Sequence, residues 1–101
     1  MYNETTLQLD DIVIRKGKNI FRAINHPLRQ QILHLLHKRG NMIVTDIYHS
    51  LEIEQSVASQ HLAILRQAAI VNAKRAGKKV HYSVNYQRIR HIHAIGLRLL
   101  A

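Results

Sequence analysis

At 101 residues the chain is shorter than a typical domain of about 150, so a single small domain is expected over residues 1–101. Fifteen Lys and Arg against six Asp and Glu leave a net charge of +9, while 47% apolar residues exclude a disordered basic tail. The absence of Cys removes disulfide scaffolds, thiolate metal sites and Cys nucleophiles, and only four Gly and one Pro favour helices over an all-β fold.

The first helix is expected within Leu7–Asn25, with Leu9, Val13, Ile20 and Ile24 on one face and Ile12, Ile14 and Phe21 beside it. It ends at Asn25-His26-Pro27, because Pro disfavours a helical residue before it and suits the first turn of the next helix. Leu28, Ile32, Leu35 and Leu36 stripe a second helix, which Gly40-Asn41 stops after the basic pair Lys38-Arg39. A short third helix carries Val44, Ile47, Tyr48 and Leu51 on one face. After Glu52-Ile53-Glu54, a fourth is predicted from about Gln55 to Gln67. Its inward stripe is Ala58, Leu62, Leu65 and Ala69. The opposite side holds Ser56, Ser59, Gln60, Ala63 and Gln67, with none of the Glu and Lys usual on a solvated helix.

The period then changes to two. Val71 and Ala73 lead into Lys74-Arg75-Ala76-Gly77-Lys78-Lys79, and Val80, Tyr82 and Val84 alternate with His81 and Ser83. This predicts a β-hairpin whose tip holds four cations, with Gly77 at the turn position that needs positive φ. A last helix, about Tyr86–Leu100, carries Ile89, Ile92, Gly96 and Leu99 as a near-heptad seam suited to helix–helix contact.

Charge is unevenly spread along this plan. Residues 1–54 hold seven of the cations and all six acids, whereas residues 55–101 hold eight cations and no acid. A carboxylate-free stretch of this kind points to an anionic partner, nucleic acid first and an anionic membrane surface second. No apolar run approaches the ~20 residues needed to span a bilayer. The acidic start, with no base before Arg15, does not read as a signal peptide, so a cytoplasmic protein is expected.

Helix, helix, short helix, helix, basic hairpin, helix is the order of a winged helix-turn-helix: mainly α with a small β-hairpin wing. The fourth helix would enter the major groove of double-stranded DNA, a groove about 12 Å wide. Gln55, Ser56, Ser59 and Gln60 are the candidate base readers, since Gln pairs bidentately with adenine and Ser donates or accepts at several bases. Lys74, Arg75, Lys78 and Lys79 are the candidate phosphate contacts, supplying affinity rather than sequence reading.

Three segments carry a family resemblance. Phe21-Arg22-Ala23-Ile24-Asn25-His26-Pro27-Leu28-Arg29-Gln30-Gln31-Ile32-Leu33, Gln55-Ser56-Val57-Ala58-Ser59-Gln60-His61-Leu62-Ala63-Ile64-Leu65-Arg66 and Lys74-Arg75-Ala76-Gly77-Lys78-Lys79-Val80-His81-Tyr82-Ser83-Val84 resemble, in order and spacing, the opening segment, recognition helix and wing of the ArsR/SmtB-type repressors. The resemblance implies a homodimeric bacterial repressor on a palindromic operator. Its dimer would form through about residues 1–25 and 86–101, with Ile12, Ile20, Ile89, Ile92, Gly96 and Leu99 as candidate contacts. It does not bring the family's sensors with it. Where many members have Cys-x-Cys at the start of the third helix, this chain has Ile43 and Thr45. The post-wing Asp-x-His zinc positions become Tyr86 and Arg88, and no His follows His93. No cofactor or metal is therefore expected, and any inducer is unidentified.

His34 and His37 share a helix face and His91 and His93 are close in sequence, which leaves a non-standard metal- or ligand-responsive His site as one alternative. His61, beside the inward stripe, is expected to pack rather than to read bases. A basic module for RNA or a protein partner is a second alternative. An enzyme is not expected, for want of a Gly-rich phosphate loop or a Ser/His/Asp arrangement with suitable spacing.

Overall fold

The structure, a computed structural model, describes residues 7–101. Five helices and three short strands follow in the order α1 (Asp11–Ile24), α2 (Pro27–Arg39), β1 (Asn41–Ile43), α3 (Val44–Leu51), α4 (Gln55–Gln67), β2 (Val71–Ala76), β3 (Lys79–Val84) and α5 (Tyr86–Leu100). The part of the expected dimerisation segment before residue 7 lies outside the described residues.

Helix α1 begins later than its apolar pattern suggests. Asp10 caps it, its carboxylate accepting from the backbone N–H groups of Ile12 (2.9 Å) and Val13 (3.3 Å), so Leu7 and Leu9 precede the helix and are exposed. Helix α2 opens with His26 as N-cap, its Nδ1 accepting from Leu28 N–H at 3.2 Å, and Pro27 in the first turn. Between these helices the orphan carbonyls of α1 are taken up in series. Arg29 donates to Ala23 O and Arg22 O, and Gln30 Nε2 donates to Ile24 O at 3.0 Å.

The end of α4 is handled in a second way. Ile70 N–H bonds to Leu65 O and Ala69 N–H to Arg66 O, both at 2.9 Å, with Ala69 in the left-handed region at φ 59°. This is a Schellman closure. It swings Ala69 out to solvent and buries Ile70 completely beside Leu65, so Ile70 fills the place that helical periodicity gives to Ala69. The three carbonyls that follow are held by the N-cap and first turn of α5: Arg88 Nε donates to Ala68 O (3.0 Å), Asn85 Nδ2 to Ala69 O (2.9 Å) and Asn85 N to Ile70 O (2.9 Å). Asn85 also caps α5 through its Oδ1.

The core is one cluster. Ile32 and Leu36 of α2, Ile47 of α3, Leu62 and Leu65 of α4, and Ile70 are each fully buried, worth about 1.5–3 kcal/mol apiece in transfer free energy. Met42, Val71 and Val84 bring the sheet onto it, and Ile92 brings α5. The sheet is antiparallel in the order β1-β3-β2. Strand β1 was not expected: three residues after a helix stop show no period, and only pairing with Ser83, Tyr82 and His81 of β3 makes them a strand.

The molecule is elongated, 55 × 25 × 23 Å, with a radius of gyration of 16.3 Å against about 13 Å for a compact chain of this length. Exposed apolar side chains gather near its helical ends: Ile12 (58%), Val13 and Ile14 at the start of α1, and Leu97, Leu99 (73%) and Leu100 at the end of α5.

Candidate nucleic-acid interface

Helices α3 and α4 meet through a three-residue turn, Glu52 to Glu54, with Glu52 in the left-handed conformation at φ 54°. Ala58, Leu62 and Leu65 anchor α4 in the core. That rotation fixes the rest of the helix: Gln55, Ser56, Ser59 and Gln60 are all exposed, as are Ala63 and Gln67. The outward surface of the first two turns is thus neutral, small and rich in hydrogen-bonding groups.

His61 is half-buried and faces inward. Its Nδ1 accepts from Arg29 Nη1 at 3.1 Å, and its ring lies 4.7 Å from that of His26. Burial, then His26, then Arg29 hold its pKa below the usual 6.5, so the ring stays neutral and carries its proton on Nε2. Arg29 is the one charged side chain buried among the described residues, and burial followed by the nearby Arg22 lowers its pKa as well. Its guanidinium thus ties the end of α1 to the middle of α4. Apolar periodicity gave no sign of this role, although His-Pro followed by Arg two residues later lay within the family-like segment.

The hairpin turns on Gly77-Lys78. Gly77 has φ 66° and Lys78 a negative φ, the pattern of a type II′ turn, in which glycine takes the first central place. The four cations are distributed more widely than a tip. Only Lys78 is in the turn; Lys74 and Arg75 belong to β2 and Lys79 opens β3. Lys74 lies opposite His81 and Lys79 opposite Ala76 on one face of the ribbon, whereas Arg75 lies opposite Val80 on the other. All four are exposed. The hairpin is fastened to the helical body through β1, where Asn41 Oδ1 and His81 Nδ1 lie 3.3 Å apart.

The candidate dimer residues divide. Ile12 and Leu99 are exposed, and Ile20 and Gly96 are half-buried. Ile92 is buried in the chain's own core and Ile89 packs against it, so these two positions of the seam read from spacing face inward within the chain. Arg88, given no role from sequence, holds Ala68 O.

Of the histidines considered as ligands, His34 and His37 border an apolar cleft of about 410 Å³ between α2 and α5. There His37 Nδ1 is hydrogen-bonded to the Tyr86 hydroxyl at 2.7 Å. Among the described residues no three His, Cys, Asp or Glu converge as a metal-ligand set, and no helix is long and apolar enough to cross a membrane.

A helical body around one core, a helix-turn-helix whose second helix turns its polar side outward, and a basic antiparallel ribbon beside it define a winged helix-turn-helix protein. The sequence pattern of bacterial regulatory proteins of the arsR family matches residues 26–73. The transcriptional repressor SdpR of Bacillus subtilis is 42% identical over 67 residues, covering 66% of this chain and 73% of SdpR. The repressor PagR of Bacillus anthracis is 32% identical over 85 residues, or 84% of this chain and 85% of PagR. Its crystal structure matches with a TM-score of 0.66 over 91% of this chain and all of that one, at 27% identity in the structural alignment. A homodimeric winged helix-turn-helix DNA-binding domain from Mycobacterium bovis shares the fold, with a TM-score of 0.72 and 21% identity over 93% of this chain and 90% of that domain. The chain belongs to the arsR family of bacterial transcriptional regulators.

Proposed function

We propose that this protein is a homodimeric repressor that binds double-stranded DNA sequence-specifically at a palindromic operator in the cytoplasm. The observation that carries this reading is the exposed row Gln55, Ser56, Ser59 and Gln60 on a helix seated by Ala58, Leu62 and Leu65, within a half-chain that has no carboxylate. In the major groove these four side chains read base edges, and Lys74, Arg75, Lys78 and Lys79 engage phosphates.

The relatives named as repressors, SdpR and PagR, favour repression over activation. The homodimeric neighbour favours a two-fold assembly. In that assembly the start of α1 and the end of α5, with exposed Ile12 and Leu99, cover one another, and the half-buried Ile20 and Gly96 complete the contact. Two α4 helices then reach half-sites about 34 Å apart, one helical turn of DNA. The family's thiol and zinc sensors have no counterpart at Ile43, Thr45, Tyr86 and Arg88, which leaves control to expression level, a small molecule or a partner protein.

Selection of bound fragments from random double-stranded DNA tests the proposal. A two-fold symmetric consensus is expected. Fragments with no common palindrome, retained only in proportion to their length, would overturn it.

A further inference from the structure

A cleft of about 840 Å³ opens between α1, the end of α4 and the start of α5. Its size falls in the range of small-molecule sites, about 300–1,000 Å³. Its walls are unusual in charge. Lys16 and Arg22 come from α1, His26 from the α1–α2 junction, Arg29 from α2 and Arg88 from α5, and none of the residues lining it is acidic. Asn19 and Gln67 add amide donors.

The basic groups have different freedom. Arg29 is buried and committed to Ala23 O, Arg22 O and His61, and Arg88 Nε is committed to Ala68 O. Lys16 and Arg22 are exposed at the rim. The fixed pair therefore makes a positive floor, and the rim pair can close on a ligand. Arg22 already opposes the charge of Arg29, and an anion seated between them relieves that repulsion.

We propose that this cleft binds a small organic anion carrying two or more negative charges, of the polyphosphate or polycarboxylate class, and that its occupancy shifts α4. The link is structural: the floor residue Arg29 holds His61 of α4, and Ile64 and Gln67 of α4 form part of the wall. An anion that draws the free Arg22 onto the fixed Arg29 acts on the seat of the reading helix without touching its outward face. The second half of the proposal rests on DNA binding by α4, whereas the first half does not.

Calorimetry on the intact protein at low salt, with inorganic pyrophosphate and then citrate as probes, separates the two. One saturable site per protomer is expected. It should weaken about tenfold or more in a Lys16→Ala/Arg22→Ala variant, as for the loss of charge-assisted hydrogen bonds. The Lys78→Ala/Lys79→Ala variant should retain it. Absence of saturable binding, which would follow if a second copy covers the cleft, overturns the site. So does loss of binding in the hairpin variant alone, which would assign the probe to the DNA-facing surface. In the selected DNA complex, the better-bound probe should change affinity several-fold for the unaltered protein and leave the Lys16→Ala/Arg22→Ala variant unmoved. Unchanged DNA affinity with a filled cleft overturns the coupling to α4. A variant that loses DNA binding without any probe shows instead that the cleft holds a DNA phosphate, and overturns the small-anion assignment.

Discussion

Replacing Arg29 with Met tests whether one buried guanidinium holds α1, α2 and α4 together. The substitution keeps much of the aliphatic stem but removes the bonds to Ala23 O, Arg22 O and His61 Nδ1. Each bond from a charged donor contributes about 1.5–3 kcal/mol net, and a buried acceptor left alone costs about 1–3 kcal/mol. Against that stands the relief of burying a charge, which is large enough to cancel part of the loss. Ala23 is buried, so its carbonyl has little access to water, whereas Arg22 is exposed and its carbonyl can be rehydrated. The balance is a net loss of about 3 kcal/mol, a large share of the 5–15 kcal/mol that holds a typical domain. At roughly 4–8 °C per kcal/mol, the midpoint should fall by about 12–24 °C. Urea and thermal unfolding followed by circular dichroism would read this, at fixed protomer concentration because association adds to apparent stability. Arg29→Lys, which keeps charge but loses the planar fork, should fall between the two. A Met variant within about 0.5 kcal/mol of the original would show that α1 packs without this tie, and the reasoning would fail.

Lys78→Ala/Lys79→Ala should weaken binding to all DNA sequences alike. If both touch phosphates, the slope of log affinity against log salt should become less steep by about two, measured by fluorescence anisotropy on selected and scrambled duplexes. Gln60→Ala should cost about 1–3 kcal/mol on the selected sequence and little on scrambled DNA; an equal loss on both would deny it a reading role. Ala69→Gly should raise stability by about 1 kcal/mol in urea unfolding, since glycine enters the left-handed region without the strain of a Cβ. Because the pKa of His61 is lower in the folded protein than its ordinary 6.5, the unfolded chain takes up the proton more readily. Its contribution to stability is therefore steady above about pH 7, falls as pH drops through 6.5, and levels off below the folded value. His61→Asn, which keeps an acceptor for Arg29 but does not titrate, should flatten that acid limb in urea midpoints taken across the range. An unchanged limb would place the titration elsewhere.

Elements with a strong period are legible in the sequence. The boundaries of α4 and the Pro27 start of α2 follow from Leu62 and Leu65, and from a proline that fits only a first turn. The outward position of Gln55, Ser56, Ser59 and Gln60 was legible for the same reason, since burying one stripe of a helix fixes all others. What escaped depends on partners distant in sequence. β1 exists through β3, and the inward turn of Ile92 reflects packing in three dimensions that a heptad spacing cannot distinguish from an outward seam. The tasks of Arg29, Asn85 and Arg88 escaped because carbonyl capping by a long polar side chain leaves no periodic trace. The start of α1 also escaped: the apolar residues Leu7 and Leu9 drew it too early, and the cap at Asp10 sets it.

Strand β2 lies at an edge of the sheet, paired only with β3, so one side of its backbone keeps free donors and acceptors. Such a rim invites a strand from another molecule and is a common starting point for aggregation. Lys74 and Arg75 stand on that strand, with side chains to opposite faces, and place like charges in front of any identical rim that approaches. Charge on this hairpin therefore guards against self-pairing as well as serving any phosphate backbone. Neutralising Lys74 and Arg75 together risks insoluble protein even where no nucleic acid is present, whereas Lys78 and Lys79, lying off the strand, can be removed without baring it.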